Sequence, residues 1–214
     1  MSSIRRCIHG RTKKKTNNPP RDQAHSTHET LSHRNEEGHP NETIGKTKPD
    51  STAIAKILFP IAGHDRKSYK AGTPGEFGHR RTKVRKHAGC DIYAAAGTPI
   101  RAVENGTVLF THAFYYRTDE VTVDHGGYIV RYGEVDPESI NVKIGDKVKR
   151  GQVIANVGQL ITPSGEKYKQ CMLHFEMYSS STPIKNAMLT NDSKPYCRRS
   201  DLINPTATLD AADD

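Results

Sequence analysis

Between residues 90 and 178, apolar and polar residues alternate in short runs broken by glycine. Side chains along a strand point to opposite faces in turn, so this pattern predicts half-buried β-strands. The runs are Asp91 to Ala94, Ile100 to Val103, Thr107 to His112, Glu120 to Asp124, Tyr128 to Tyr132, Gln152 to Val157 and Met172 to Tyr178. Turns separate them at Gly97-Thr98-Pro99, Glu104-Asn105-Gly106 and His125-Gly126-Gly127. The second of these is the Asn-Gly hairpin type. Val142 to Val148 reads as a turn with apolar flanks. Many short strands at close spacing predict an all-β fold, a small antiparallel sheet or barrel-like groove with long loops. No amphipathic helix of more than two turns stands out.

Upstream, Ile57-Leu58-Phe59-Pro60-Ile61 reads as a short edge strand ending at its proline. Residues 63 to 86 are polar, with a turn cluster at Gly72-Thr73-Pro74-Gly75, and read as a loop. Residues 1–53 hold too few apolar side chains to build a core, so a disordered basic tail is expected there, with its five histidines solvated. The folded domain is expected over residues 54–209. Arg198 to Thr206 is expected to form a short helix or turn docked on the sheet, and residues 210–214 an acidic fray.

Composition narrows the function. The 214-residue chain is only 34% hydrophobic, which fits a compact core with a polar extension. A net charge of +8 favours anionic partners. Much of it lies outside the expected core, and no aromatic–basic interleaving of the base-stacking kind is present, so no specific nucleic-acid partner is expected. No apolar run is long enough to span a membrane. The N-terminal arginines are not followed by an apolar stretch, so no secretory signal is expected. The four cysteines, Cys7, Cys90, Cys171 and Cys197, show no metal-finger spacing. Cys90 and Cys171 read as buried thiols, with a disulfide between them as the alternative.

The candidate chemistry lies at two strands. If residues 87–91 run extended, His87, Gly89 and Asp91 share a face, and Gly89 leaves room for an ion between the polar pair. In Met172-Leu173-His174-Phe175-Glu176, the residues Met172, His174 and Glu176 share a face. Two imidazoles and a carboxylate suffice to hold a catalytic zinc with one position left open. His87, Asp91 and His174 are therefore the predicted ligand set. His125 reads as a turn residue, and His64, His79 and His112 as surface groups. Glu176 reads as no more than an outer partner of the site. Arg80 and Arg81 read as loop residues that could meet an anionic substrate.

Several ordered motifs resemble the lysostaphin-type (LytM-type) zinc metallopeptidases. They are His87-Ala88-Gly89-Cys90-Asp91-Ile92, Ala95-Ala96-Gly97-Thr98-Pro99-Ile100, Asn105-Gly106-Thr107-Val108 and Val123-Asp124-His125-Gly126. Val142 to Gln152 and Leu173-His174-Phe175-Glu176 complete the set. The resemblance implies a zinc endopeptidase acting on peptide bonds of bacterial peptidoglycan, with a β-sheet groove and the metal at its floor. It implies action at the cell wall, in the periplasm or outside the cell, after delivery by a route other than a signal peptide, and a monomer. Its metal ligands fall on His87, Asp91 and His174. Two family histidines are missing. Met172 stands at the first position of the family's His-x-His pair, and Glu134 stands in the Tyr132-Gly133-Glu134 stretch where the family has Tyr-x-His. Glu134 is the expected base, since a carboxylate takes a proton and a thioether does not. Tyr132 and Met172 are expected to line the substrate groove. The alternative is a zinc-binding, catalytically degenerate wall-binding module. A biotinyl or lipoyl carrier fold would leave the His and Asp motifs without a purpose.

Overall fold

The computed structural model describes residues 56–179 and 189–214. The tail expected over residues 1–53 lies outside them, as does most of the Ser/Thr/Pro-rich stretch after Ser179. Among the described residues the elements are β1 (Cys90–Tyr93), β2 (Pro99–Arg101), β3 (Gly106–Ala113), β4 (Asp119–Asp124) and β5 (Tyr128–Val135), then a 3-10 turn (Pro137–Ser139), β6 (Lys147–Val148), β7 (Val153–Asn156), β8 (Met172–Ser179), β9 (Leu202–Ile203) and one short α-helix, α1 (Thr206–Asp210). The fold is all-β, as the alternation predicts. No helix among these residues is long and apolar enough to cross a membrane.

Seven strands form one sheet in the order β1-β8-β5-β4-β3-β6, with β9 on the far part of β8. All its pairings are antiparallel, and β2 and β7 form a separate pair. Alternation gives the sheet two unlike faces. Cys90, Ile92, Val121, Val130, Tyr132, Leu173 and Phe175 belong to the main core and are essentially sealed from solvent. Burying each of the larger side chains contributes about 1.5–3 kcal/mol, so this face drives assembly. Asp91, Glu120, Arg131, Gly133, His174 and Glu176 occupy the intervening positions.

Register then aligns the site. Asp91 on β1 stands opposite His174 on β8, and His174 stands opposite Gly133 on β5. Three neighbouring strands thus contribute one residue each to a single row across the sheet.

The turn at Glu104-Asn105-Gly106 is not a hairpin, because β2 pairs with β7 while β3 pairs with β4 and β6. Two further expectations are corrected here. The acidic end is no fray. The Asp213 amide donates to the Ile57 carbonyl (2.8 Å) and the Phe59 amide to the Asp213 carbonyl (2.7 Å). Lys56 and Arg150 meet the Asp213 carboxylate, and Ala212 is buried. Strand-like backbone bonding to the first ordered segment holds this terminus, and local composition does not reveal it. The second correction concerns residues 80–86. Arg80 bridges Lys86, and the Arg81 amide donates to the Arg85 carbonyl (2.9 Å), so part of the expected loop is a small hairpin.

Candidate metal centre

His87, Asp91 and His174 converge as predicted. His87 Nε2 lies 3.0 Å from Asp91 Oδ1 and 3.1 Å from His174 Nδ1, and His174 Nδ1 lies 2.8 Å from Asp91 Oδ1. All three residues are buried. Bonds of about 2.0–2.1 Å in a tetrahedral arrangement put ligand atoms roughly 3.3 Å apart, so a small outward movement of each group accommodates zinc. Two ring nitrogens and one carboxylate oxygen form a donor set suited to that ion. Gly89 is required beside them. A Cβ there would stand 2.5 Å from the Phe175 carbonyl oxygen and 2.9 Å from the His174 ring. No real side chain tolerates the first distance, so the ligand rings fit only against a bare backbone.

Outer contacts orient each of the three candidate ligands, in the manner of second partners at metal sites. His87 Nδ1 donates to the Glu76 carbonyl (2.8 Å), which leaves Nε2 aimed at the site. His174 Nε2 donates to Glu176 Oε1 (2.8 Å), which turns Nδ1 inward. Arg81 donates to Asp91 Oδ2 (3.1 Å), leaving Oδ1 for the site. The Phe114 ring fills the notch left by Gly133 and stacks on His174 at 5.5 Å.

The charges are tightly coupled. Burial works against a charged His174, but its hydrogen bonds to Asp91 and Glu176 outweigh that and raise it to about 9. Without a cation the ring therefore carries protons on both nitrogens, and a metal entering at Nδ1 displaces one of them. Burial holds His87 below its ordinary value. Burial opposes ionisation of Asp91 too, yet the hydrogen bonds from both imidazoles keep its carboxyl well below the usual carboxylate range.

Glu134 reaches this side of the sheet through a β-bulge. On β4, Asp119 pairs with Val135 and Glu120 with Gly133, which leaves Glu134 as the extra residue. Its φ is 61°, in the left-handed region. Strict alternation would have placed Glu134 on the Tyr132 face; the bulge re-aims it. Its carboxyl is buried, and its Oε2 has no hydrogen-bond partner among the described residues. Burial and, next, the Asp91 charge push it up to about 8, while His174 and Arg81 pull the other way.

This has a measurable consequence in metal-free protein. An unfolded Glu134 releases its proton near 4.5, the folded one only near 8, so folding loses stability as pH rises between those values. Glu134→Gln does not titrate. Its stability relative to the parent, measured by denaturant unfolding in chelator, is expected to climb from about pH 4.5 to about pH 8 and then level off. A flat difference would mean that the carboxyl is not held buried.

The remaining site expectations divide. Met172 opens β8 opposite Tyr93 and is partly exposed, at the margin of the row of site residues. Tyr132 does not line a groove. It is fully buried in the core on the opposite face, accepts from the Val103 amide (2.9 Å) and donates to His125 Nε2 (3.2 Å). An odd-numbered shift from His174's partner Gly133 sends it there. His125 is a structural turn residue, its Nδ1 donating to the Asn105 carbonyl (3.0 Å). Cys90, Cys171 and Cys197 are free and buried.

A buried charge cluster behind His174 has no sequence signature. Arg131 Nη1 donates to Glu176 Oε2 (3.0 Å), and its Nε lies 2.6 Å from Glu120 Oε2 without hydrogen-bond alignment. Arg198 Nε donates to both Glu176 oxygens (2.8 and 3.0 Å), and the Tyr178 hydroxyl donates to Oε2. The only clue in the sequence was that Arg131 interrupts an apolar strand, which requires a paired charge opposite.

A buried His/Asp/His cluster on an antiparallel sheet, with a buried carboxyl beside it, is a donor set that could hold a metal ion. Residues 85–186 match the model of Peptidase family M23. The chain is 34% identical over 113 residues to the peptidoglycan DD-endopeptidase ShyA of Vibrio cholerae, covering 51% of this chain and 24% of that protein. It is 30% identical over 129 residues to an uncharacterized metalloprotease of Buchnera aphidicola, covering 60% and 32%. Among solved structures, a zinc-containing peptidase from Vibrio cholerae is similar at 26% identity and a TM-score of 0.44, covering 60% of this chain and 38% of that one. The chain spans about a quarter to a third of the length of the curated relatives it matches.

Proposed function

We propose that the protein is a zinc metalloendopeptidase that hydrolyses peptide bonds of bacterial peptidoglycan. The convergence of His87 Nε2, Asp91 Oδ1 and His174 Nδ1 carries this reading. Zinc held by these three supplies Lewis-acid polarisation of a carbonyl and acidification of a water molecule. Glu134 accepts a proton from the attacking water at its unpartnered Oε2 and passes it to the leaving amine. Its buried carboxyl with an unpartnered Oε2 beside Asp91 and His174 suits a group that takes up a proton. Phe114 and the sheet exclude bulk water from the floor of the site. Met172 adds nothing to the developing oxyanion, since a thioether does not donate a hydrogen bond.

That last point favours a second reading, a zinc-binding wall module with little or no turnover. Loss of one oxyanion donor costs roughly two to three decades in rate. One experiment separates the readings. Purified sacculi are incubated with the full-length protein, zinc-loaded or chelated, and soluble muropeptides are analysed by mass. The hydrolase reading expects zinc-dependent release, and Met172→His is expected to raise its rate by about tenfold or more. No release from protein carrying stoichiometric zinc, in the parent and in Met172→His alike, would leave the binding module.

A further inference from the structure

From residue 56 onward the positive charge of the sequence is concentrated in one place. From residue 56 to the C-terminus the sequence has 22 Lys and Arg against 18 Asp and Glu. The seven residues Arg80 to Lys86 hold five of those cations and none of the acids. What remains is 17 against 18, so the rest of the region is close to neutral.

Those seven residues are a built element. The Arg80–Lys86 bridge and the amides of Arg81 and Thr82, both donating to the Arg85 carbonyl, close the hairpin. At its base the His87 amide donates to the His79 carbonyl (2.9 Å), and the Lys86 amide to the Pro195 carbonyl (2.8 Å). Arg80, Arg81, Lys83 and Lys86 are exposed and Arg85 is half-buried. Elsewhere Arg66, Lys70, Arg150 and Arg199 each meet a carboxylate. In the hairpin only Arg81 does, on Asp91; Arg80, Lys83, Arg85 and Lys86 have no acidic partner among the described residues. Four like charges held on one short ribbon repel one another, and no carboxylate among the described residues pairs with them.

The hairpin also adjoins the metal centre. Its last residue precedes the ligand His87, and Arg81 grips the ligand Asp91. The Arg81 charge acts on His87, Tyr93 and Glu134 as well. The hairpin thus adjoins two of the three candidate ligands, His87 along the chain and Asp91 through Arg81.

We propose that hairpin 80–86 is an anion-recognising arm that engages free carboxylates of the peptide polymer beside the scissile bond. The inference rests on the peptidoglycan reading above and adds to it a preference for carboxylate-bearing strands. Arginine and lysine heads on an ordered ribbon suit carboxylates spaced along a peptide, and their attraction weakens with salt.

The test uses full-length protein in chelator, so that hydrolysis does not disturb binding. The probes are purified sacculi, the same sacculi with carboxylates amidated by carbodiimide coupling, and duplex DNA. The variant is Arg80→Gln, Lys83→Gln, Arg85→Gln and Lys86→Gln together, with Arg81 kept because it holds Asp91. At low salt the variant is expected to bind native sacculi at least about fivefold more weakly than the parent, given the usual worth of four exposed charge contacts. The parent is expected to lose binding to the same degree on amidated sacculi, a comparison that needs no variant to fold. High salt closes both gaps. Equal binding of the variant and parent at low salt, or of native and amidated sacculi, overturns the proposal. So does a variant that loses only DNA binding, which would make the arm a nucleic-acid contact. If charge-dependent binding holds while no muropeptide is ever released, the hydrolase reading fails and the arm stands.

Discussion

His174→Ala is expected to leave the protein without stoichiometric zinc and without zinc-dependent hydrolysis. His174 is the centre of the row that β1, β8 and β5 bring together, and its Nδ1 is one of the three converging donor atoms. Two remaining donors do not make a tight zinc site. The loss exceeds the tenfold to hundredfold typical of removing an outer partner, because a direct ligand is gone. Alanine also leaves Glu176 Oε1 without the imidazole that donates to it and leaves Phe114 without its stacking surface. Some loss of stability therefore accompanies the loss of metal. Metal content by elemental analysis, read beside a denaturation curve in chelator, keeps the two apart. Zinc that stays at one per chain in a folded His174→Ala protein would show that the ligand set is misassigned.

The second large effect is expected at Arg131, away from the ligands. Arg131 is buried between Glu120 and Glu176, both buried themselves. Burial raises Glu120 above its ordinary value despite Arg131. Burial opposes ionisation of Glu176 as well, but Arg198 and Arg131 hold it well below its own. Arg131→Met leaves Glu120 without a guanidinium and Glu176 with Arg198 alone. Breaking a buried pair in this way costs about 3–5 kcal/mol, because a charge stays in the interior uncompensated. Adding Glu120→Gln is expected to recover a large part of that loss, since the stranded charge disappears. Denaturant midpoints of the single and double variants give the comparison. If Arg131→Met alone is as stable as the parent, the cluster contributes nothing to folding. Because Glu176 also holds His174 Nε2, the single variant is expected to bind zinc more weakly as well.

Much of the molecule was legible in the sequence. Alternation placed β1, β3, β4, β5, β7 and β8 to within a few residues, because a sheet with one apolar face writes that face into every second position. The same rule put His87 and Asp91 on one face of the first stretch and His174 and Glu176 on one face of the second, and Gly89 proved to be needed for room beside the Phe175 carbonyl and the His174 ring. These are local relations, readable from spacing alone.

Other features depend on which strands become neighbours, and spacing does not carry that information. Glu134 was named from its place after Tyr132, yet alternation alone would have turned it into the core with Tyr132. A bulge against β4, visible only in the pairing, brings it to the metal side. The Glu120–Arg131–Glu176–Arg198 cluster joins β4, β5, β8 and a segment beyond β8. Glu176 was read only as an outer partner of the site, and the pairing of these strands buries it with the other three charges. The acidic end was read as a fray because composition knows nothing of the Ile57 and Phe59 backbone it pairs with. Sequence by itself determined the strand pattern and the candidate metal-ligating residue types, since both follow from period-two burial and donor chemistry. Tertiary structure alone decided how the Glu134 side chain is aimed, what holds His174 in place and where the unbalanced charge gathers, since those depend on contacts between residues far apart in the chain.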